Sequence, residues 1–167
     1  MAAESTYTPI ATTTLGSAVT SYTFSSIPST YTDLVLIISA AASSGLDLAI
    51  RYNGDSGSNY SETILTGNGT SASSTRETSQ TRGLLDYNGI PSSTLGNNVT
   101  IVNIMNYANT TTYKTALSRA NNAGSGTDAN VILWRSTSAI NSVTVLSSNV
   151  NNISSGSTFT LYGIAAA

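Results

Sequence analysis

The chain has 167 residues, of which 28 are Ser and 26 are Thr, while only 8% are charged and the formal net charge is −2. It contains no His and no Cys, and Lys114 is its single lysine, so the side chains that perform most nucleophilic and proton-transfer chemistry are nearly absent. This composition disfavours an enzyme and predicts a structural or binding protein with no cofactor and no metal centre. Because the basic residues are scattered and no apolar run approaches the length of a membrane span, we expect no nucleic-acid partner and no membrane partner.

The N-terminal residues 1–15 show no pattern of a buried strand, and they include a run of three threonines that ends at Thr14. We expect this segment to form an N-terminal arm that reaches a neighbouring subunit, with Tyr7, Pro9 and Ile10 as candidate contact residues. The alternative is simple disorder at a chain terminus.

Segments rich in β-branched and aromatic residues, bounded by Gly, Asn, Ser or Pro, follow one another through residues 16–167 and predict strands. The run 33–40 is apolar almost throughout, which is typical of a strand buried on both faces, so we expect Ile37→Asp to prevent folding. The predicted strands are 19–24, 33–40, 46–52, 62–65, 84–87, 99–107, 112–120, 130–137, 142–147 and 158–164.

Short strands without a sustained helical stripe predict an all-β fold. We expect a single domain over residues 16–167, an antiparallel β-sandwich of about 8–10 strands with jelly-roll topology. A predicted long loop, 53–83, has little apolar content and is either functional or merely mobile. The segment 120–127 predicts a plain hairpin turn.

The start of the long loop carries amide and carboxylate oxygens at Asn53, Asp55 and Asn59. Their alternation superficially resembles a calcium loop, but Gly57 occupies a position where an EF-hand needs a ligand. The stronger interpretation is a structured turn, because Asn and Asp side chains bond the local backbone and tolerate positive φ.

Aromatic residues support a second hypothesis, in which Tyr60 and Trp134 stack on a sugar and nearby amides and hydroxyls bind its oxygens. The alternative for Trp134 is a position in the core or in a subunit interface, where its large area packs against apolar neighbours. Six residues are therefore candidates for an interface or a functional loop: Arg51, Asn53, Asp55, Asn59, Tyr60 and Trp134.

Three segments of the chain carry distinctive motifs. Residues 19–36 read VTSYTFSSIPSTYTDLVL, residues 50–61 read IRYNGDSGSNYS and residues 159–164 read FTLYGI. These motifs resemble virion structural proteins of tailed bacteriophages, in which a strand leads through an Ile-Pro pair into a hydrophobic strand. Residues 50–61 give the most specific of the three matches, and residues 159–164 resemble the terminal strand of those proteins. The three segments occur in the same order and span nearly the whole chain.

The resemblance implies a place in the virion, which is assembled in the host cytoplasm. Within this family we expect a capsid decoration, or cement, protein: a homotrimeric β-fold that binds the major capsid protein on the outside of the shell and stabilises the contacts between capsomers. The alternative is a tail- or fibre-associated protein that binds a glycan on the host surface.

Overall fold

The computed structural model describes residues 6–42, 45, 47–87 and 95–165. These residues form twelve β-strands and contain no helix, so the described part of the chain has no helix that could cross a membrane. The strands are β1 (Tyr7–Thr14), β2 (Ser21–Phe24), β3 (Asp33–Ser39), β4 (Leu48–Tyr52), β5 (Tyr60–Gly67), β6 (Ala72–Gln80), β7 (Gly83–Leu84), β8 (Asn98–Met105), β9 (Lys114–Asn122), β10 (Gly126–Trp134), β11 (Val143–Ser147) and β12 (Thr158–Ile164).

The strands form two antiparallel sheets. The large sheet has the order β1-β12-β3-β8-β9-β10-β5-β6, and the small sheet has the order β2-β11-β4-β7. Their inner faces enclose the main core, to which the large sheet contributes Leu36, Val102 and Ile132 and the small sheet contributes Ile50 and Val145. The all-β antiparallel sandwich is thus confirmed. The described residues contain more strands than predicted, and the division into eight and four strands does not establish a jelly roll.

Burial alternates along the central strands of the large sheet. Every second residue of β9 is buried, from Lys114 to Asn122, and the same holds for β10 from Asp128 to Trp134. Because successive side chains of a strand point to opposite faces, one face of these strands lies in the sandwich and the other forms its outer surface. A tight turn joins the two strands where Gly126 pairs with Asn122, which confirms the predicted hairpin turn.

The prediction of an N-terminal arm is wrong for residues 7–14, because these residues form the edge strand β1. This strand pairs with β12 from Tyr7 opposite Ile164 to Thr14 opposite Thr158. Backbone hydrogen bonds hold it in place, and its side chains are exposed or half-buried, so it needs no apolar pattern. The predicted contact residues Pro9 and Ile10 therefore lie in the sheet. Residues 1–5 lie outside the described residues.

The predicted long loop 53–83 is also wrong, because most of it forms the hairpin of β5 and β6. The hairpin is closed by Asn68, whose Oδ1 accepts hydrogen bonds from the backbone N–H groups of Thr70 at 3.0 Å and Ser71 at 2.8 Å. Strand β6 has no large apolar residue, since it lies at the edge of the sheet and is mostly exposed. A hydrophobic pattern could not reveal such a strand.

The central strand β3 is fully buried on only one of its faces. Leu36 is 0% exposed and lies between Leu161 and Val102 in the register. Ile37 points to the outer face, where it is half-buried beside Thr160 and Ile101. The predicted placement of Ile37 in the core is therefore wrong. Its neighbour Leu36 points into the core, and Ile37 points to the opposite face.

We expect Leu36→Asp to lower the free energy of unfolding by about 3–5 kcal/mol, because it places an unpaired charge in the core. The matched variant Ile37→Asp should cost less than about 2 kcal/mol, because its carboxylate can reach water. Urea unfolding of both variants measures the difference. Equal destabilisation would contradict the assignment of the two faces.

Buried polar side chains of the large sheet hold the segment 84–87 against its inner face. Because β7 is only two residues long, most backbone groups of this segment have no strand partner and would otherwise be buried unpaired. We call the four side chains that bind them the polar seam: Glu62 Oε2 accepts from Leu84 N at 2.5 Å, Ser118 Oγ donates to Leu85 O at 2.7 Å, Asp128 Oδ2 accepts from Tyr87 N at 2.6 Å and Asn130 Nδ2 donates to Leu84 O at 3.1 Å.

The carboxyl groups in and beside the polar seam have raised pKa values, and burial is the main cause. Burial raises the pKa of Glu62 to about 7, while the Leu84 N–H opposes this shift and Glu77, directly opposite in the register, adds to it. Burial likewise raises the pKa of Asp86 and of Asp128. These groups therefore favour the protonated form in the folded protein.

We expect the free energy of unfolding to fall as pH rises from about 4.5 to about 7, because the folded chain keeps a proton on Glu62 that the unfolded chain has released. Glu62→Gln should remove about 1–3 kcal/mol of the stability lost between about pH 5 and about pH 8. Urea unfolding at both pH values measures this loss.

The control is Glu77→Gln, which keeps the Glu62 acceptor for Leu84 N and removes the facing carboxylate. This variant should gain more stability at about pH 8 than at about pH 5, because Glu62 is charged only at the higher pH. An undiminished pH dependence in Glu62→Gln would show that Glu62 is not its source.

Candidate functional site

The six candidate residues lie together where the turn between β4 and β5 meets the end of β10. Asn53 adopts a φ of 54°, a left-handed conformation that Asn tolerates. Its Oδ1 accepts hydrogen bonds from Asn141 N at 2.9 Å and Ser142 N at 3.2 Å, and its Nδ2 donates to Ala139 O at 2.8 Å. Asn53 therefore ties the turn to the segment that precedes β11.

Asp55 is the centre of this group. Its Oδ2 accepts hydrogen bonds from Trp134 Nε1 at 2.7 Å and Asn59 Nδ2 at 2.9 Å, and its Oδ1 accepts one from Gly57 N at 2.8 Å. Although partial burial opposes the shift, these donors and the nearby Arg51 guanidinium hold the pKa of Asp55 below its ordinary value. Arg51 itself donates from Nε to a backbone carbonyl at 2.9 Å.

The aromatic rings of the group belong to the core. Tyr60 is 0% exposed and Trp134 is 2% exposed. Tyr52 packs on Trp134 with ring centroids 5.5 Å apart, and Tyr60 OH accepts from Tyr52 N at 3.0 Å and donates to Asp55 O at 3.3 Å. The hypothesis that Tyr60 and Trp134 offer their rings to a sugar is therefore wrong, and the alternative that Trp134 fills the core is confirmed.

The geometry of this group is that of a structured turn. Both carboxylate oxygens of Asp55 are occupied by N–H donors from within the chain. Within residues 6–42, 45, 47–87 and 95–165, no group of three or more His, Cys, Asp or Glu side chains could hold a metal ion. The six residues thus stabilise the local structure at this end of the sandwich. Tyr60 and Trp134 are buried, so their rings cannot contact a ligand.

The outer face of the large sheet is a surface that the sequence analysis missed. Leu117 and Val131 are 43% and 51% exposed and lie opposite each other on β9 and β10. Leu65, on the adjacent strand β5, is 57% exposed. We call these three residues the aliphatic row. The sequence contained a sign of this exposure. Side chains of a strand alternate between its two faces, and Leu117 lies between Ala116 and Ser118, which both point into the sandwich.

A shallow groove lies between the tips of two hairpins. Its volume is about 380 Å³, and it is lined by the segments 67–69 and 121–127. The lining side chains are amides, hydroxyls and a methyl group, and the rest is glycine backbone, so the groove carries no charged side chain. Such a surface can form only neutral hydrogen bonds, and Asn68 Oδ1 and Asn122 Oδ1 already accept hydrogen bonds from within the chain.

Comparisons with known proteins assign no family to this chain. It matches no protein-family model, and a search of the curated proteins gives no match. The aliphatic row, the groove between the hairpin tips and the sequence motifs are therefore the features that bear on function.

We expect Asp55→Ala to lower the free energy of unfolding by about 1–3 kcal/mol, because it leaves the buried Trp134 N–H without an acceptor. Trp134 is the single tryptophan, so its fluorescence reports both the local change and global unfolding. The exposed neighbour Ser56→Ala is the control and should change stability by less than about 0.5 kcal/mol. A native emission spectrum together with unchanged stability in Asp55→Ala would contradict the role of this contact.

The same contact has a defined pH dependence. Because the folded pKa of Asp55 is lowered, its contribution to stability is present above the unfolded pKa of about 3.9 and is lost as pH falls through the folded value. The difference in stability between the wild type and Asp55→Ala should therefore shrink below about pH 4. A difference that stays constant to lower pH would contradict this assignment.

Proposed function

We propose that this chain is a structural protein of a tailed-phage virion, which binds the outside of the capsid as a decoration protein and contacts the major capsid protein. The observation that carries the proposal is the aliphatic row, Leu65, Leu117 and Val131, exposed on the broad outer face of the large sheet. Exposed aliphatic side chains surrounded by polar groups match the composition of protein interfaces. The three motifs that resemble phage virion proteins supply the biological setting.

The surface chemistry supports attachment to a shell of many identical subunits. Side chains that are mostly hydroxyl and amide leave few charges to be stripped of water when the protein docks. Hydrogen bonds bridged by water at such an interface are nearly as favourable as direct ones, so a hydrated interface with the shell need not be weak. Since each bound copy favours the assembled state, many copies together stabilise the shell by mass action.

The homotrimer and the location in the virion belong to the same proposal. Both follow from the resemblance, which implies trimers placed where capsomers meet. Under this proposal the chain acts through binding alone, with no cofactor and no chemical step.

A second candidate is a tail- or fibre-associated protein that binds a host glycan. The observation that favours it is the hairpin groove of about 380 Å³, whose amides and hydroxyls match the hydrogen-bonding groups of a sugar. The buried rings of Tyr60 and Trp134 cannot stack on that sugar, so recognition would depend on hydrogen bonds alone.

The purified chain, mixed with undecorated capsids, should bind to saturation and raise the temperature at which the shells break. Val131→Glu should weaken this binding by at least about ten-fold, because it places a charge in an apolar contact. Val150→Glu is the matched control, since Val150 is 98% exposed and lies outside the large sheet. Capsid pelleting and thermal release of the packaged DNA measure the two effects.

Equal binding by both variants would remove the aliphatic row from the interface. If the wild type ignores capsids but binds host cells, and soluble host glycan competes, the second candidate replaces the first.

A further inference from the structure

Strand β6, residues Ala72–Gln80, forms one edge of the large sheet. In the described part of the chain it pairs on one side only, with β5. The backbone N–H and C=O groups of its other side therefore form a template for another strand. Natural proteins usually block such an edge with proline, with charged side chains, most often lysine, with a bulge or with a covering segment.

The two edges of the large sheet differ in this respect. The edge strand β1 contains Pro9, which has no N–H, and its register shifts between Pro9 and Ala11. Strand β6 contains neither proline nor lysine. Its irregularity is confined to its end, where the register shifts and Ser79 has a φ of 56°. The part from Ala72 to Glu77 is regular and open.

We propose that β6 pairs in an antiparallel manner with β6 of a second copy of this chain, around a two-fold axis at Thr75, so that the two large sheets become one continuous sheet. A two-fold axis through an antiparallel strand pair keeps each side chain on its own face of the joined sheet. With the axis at Thr75, Ser74 lies opposite the partner's Arg76 and Ser73 lies opposite the partner's Glu77.

Charge restricts the register of such a pair. Arg76 and Glu77 are the only charged residues of β6. An axis at either of them would place like charges directly opposite, which is destabilising. An axis at Thr75 places each charge opposite a serine hydroxyl and aligns two threonines, a favourable cross-strand pair. A second copy supplies a strand whose two charges cancel, and main-chain hydrogen bonds between the two β6 strands supply the affinity.

This contact does not depend on where the protein resides. If the interface of the proposed trimer leaves β6 uncovered, the two-fold contact joins a subunit of one trimer to a subunit of the next. The purified chain alone tests it, so its failure and the failure of capsid binding are separate results.

The absence of cysteine allows a test with single thiols. In the Thr75→Cys variant the two Cα atoms lie about 4.5–5.5 Å apart across the axis, which is within the range that a disulfide spans. In the matched variant Thr78→Cys the two positions lie about 20 Å apart along the strands. Mild oxidation should link Thr75→Cys into covalent dimers and leave Thr78→Cys unlinked. No dimer from Thr75→Cys, or equal linkage of both variants, would overturn the proposal.

A charge change at Ser74 tests the same register without oxidation. Ser74 is exposed, so substitution there leaves the core intact. Because of the two-fold symmetry, the pair of residue 74 with the partner's Arg76 occurs twice. Ser74→Lys places like charges in both pairs and should raise the dimer dissociation constant about two- to thirty-fold. Ser74→Glu places opposite charges there and should lower the constant by a similar factor. Analytical ultracentrifugation measures both constants. A shift of the same sign in the two variants, or a wild type without two-fold association at any concentration, would overturn the proposal.

Discussion

The fold depends on one geometric constraint: a sheet of eight strands is covered by a sheet of only four. The short strands of the small sheet bury the apolar inner side chains at the centre of the large sheet. Beyond that cover, the inner face of the large sheet packs against residues 84–87, which have almost no strand structure of their own, and farther out β6 is mostly exposed. The inner face of the large sheet therefore has an apolar part under the small sheet, a polar part under residues 84–87 and an exposed part at β6, because the small sheet is too narrow to cover all of it.

The polar seam is what this constraint produces where the cover is irregular. Backbone groups that lack a strand partner have to be satisfied by side chains, and here the side chains include buried carboxyls, of which Glu62 has the Arg82 guanidinium nearby. Because burial raises the pKa values of these carboxyls, they contribute more to stability when protonated than when charged, so the seam favours the folded state more at lower pH. At the other end of β9, Lys114 is buried in the same manner, with its Nζ donating to the carbonyls of Thr112 at 2.8 Å and Thr137 at 3.2 Å.

The sequence predicted the elements whose burial is apolar and regular. Strand β12 was predicted to the residue and β3 to within one residue, because β3 is apolar almost throughout and β12 buries an apolar side chain or Gly163 at every second position. Strands β1 and β6 were missed, since an edge strand is held by its backbone and tolerates Ser and Thr at every position. Of the candidate site, the sequence identified residues that do lie together. It could not show that Asp55 binds Trp134, because 79 positions separate them.

The pairing of β1 with β12 has a mechanical consequence. The two strands are antiparallel neighbours at one edge, and Ala165 N still donates to Thr6 O at 3.2 Å where they meet the remainder of the chain. A pulling force applied through both ends of this pair therefore opens it like a zipper, one hydrogen bond after another, instead of shearing all its bonds at once. Load that enters through the faces of the sandwich is borne by the whole core. Under the proposed attachment to a capsid, contact through the sheet surfaces would leave these terminal strands free of tension.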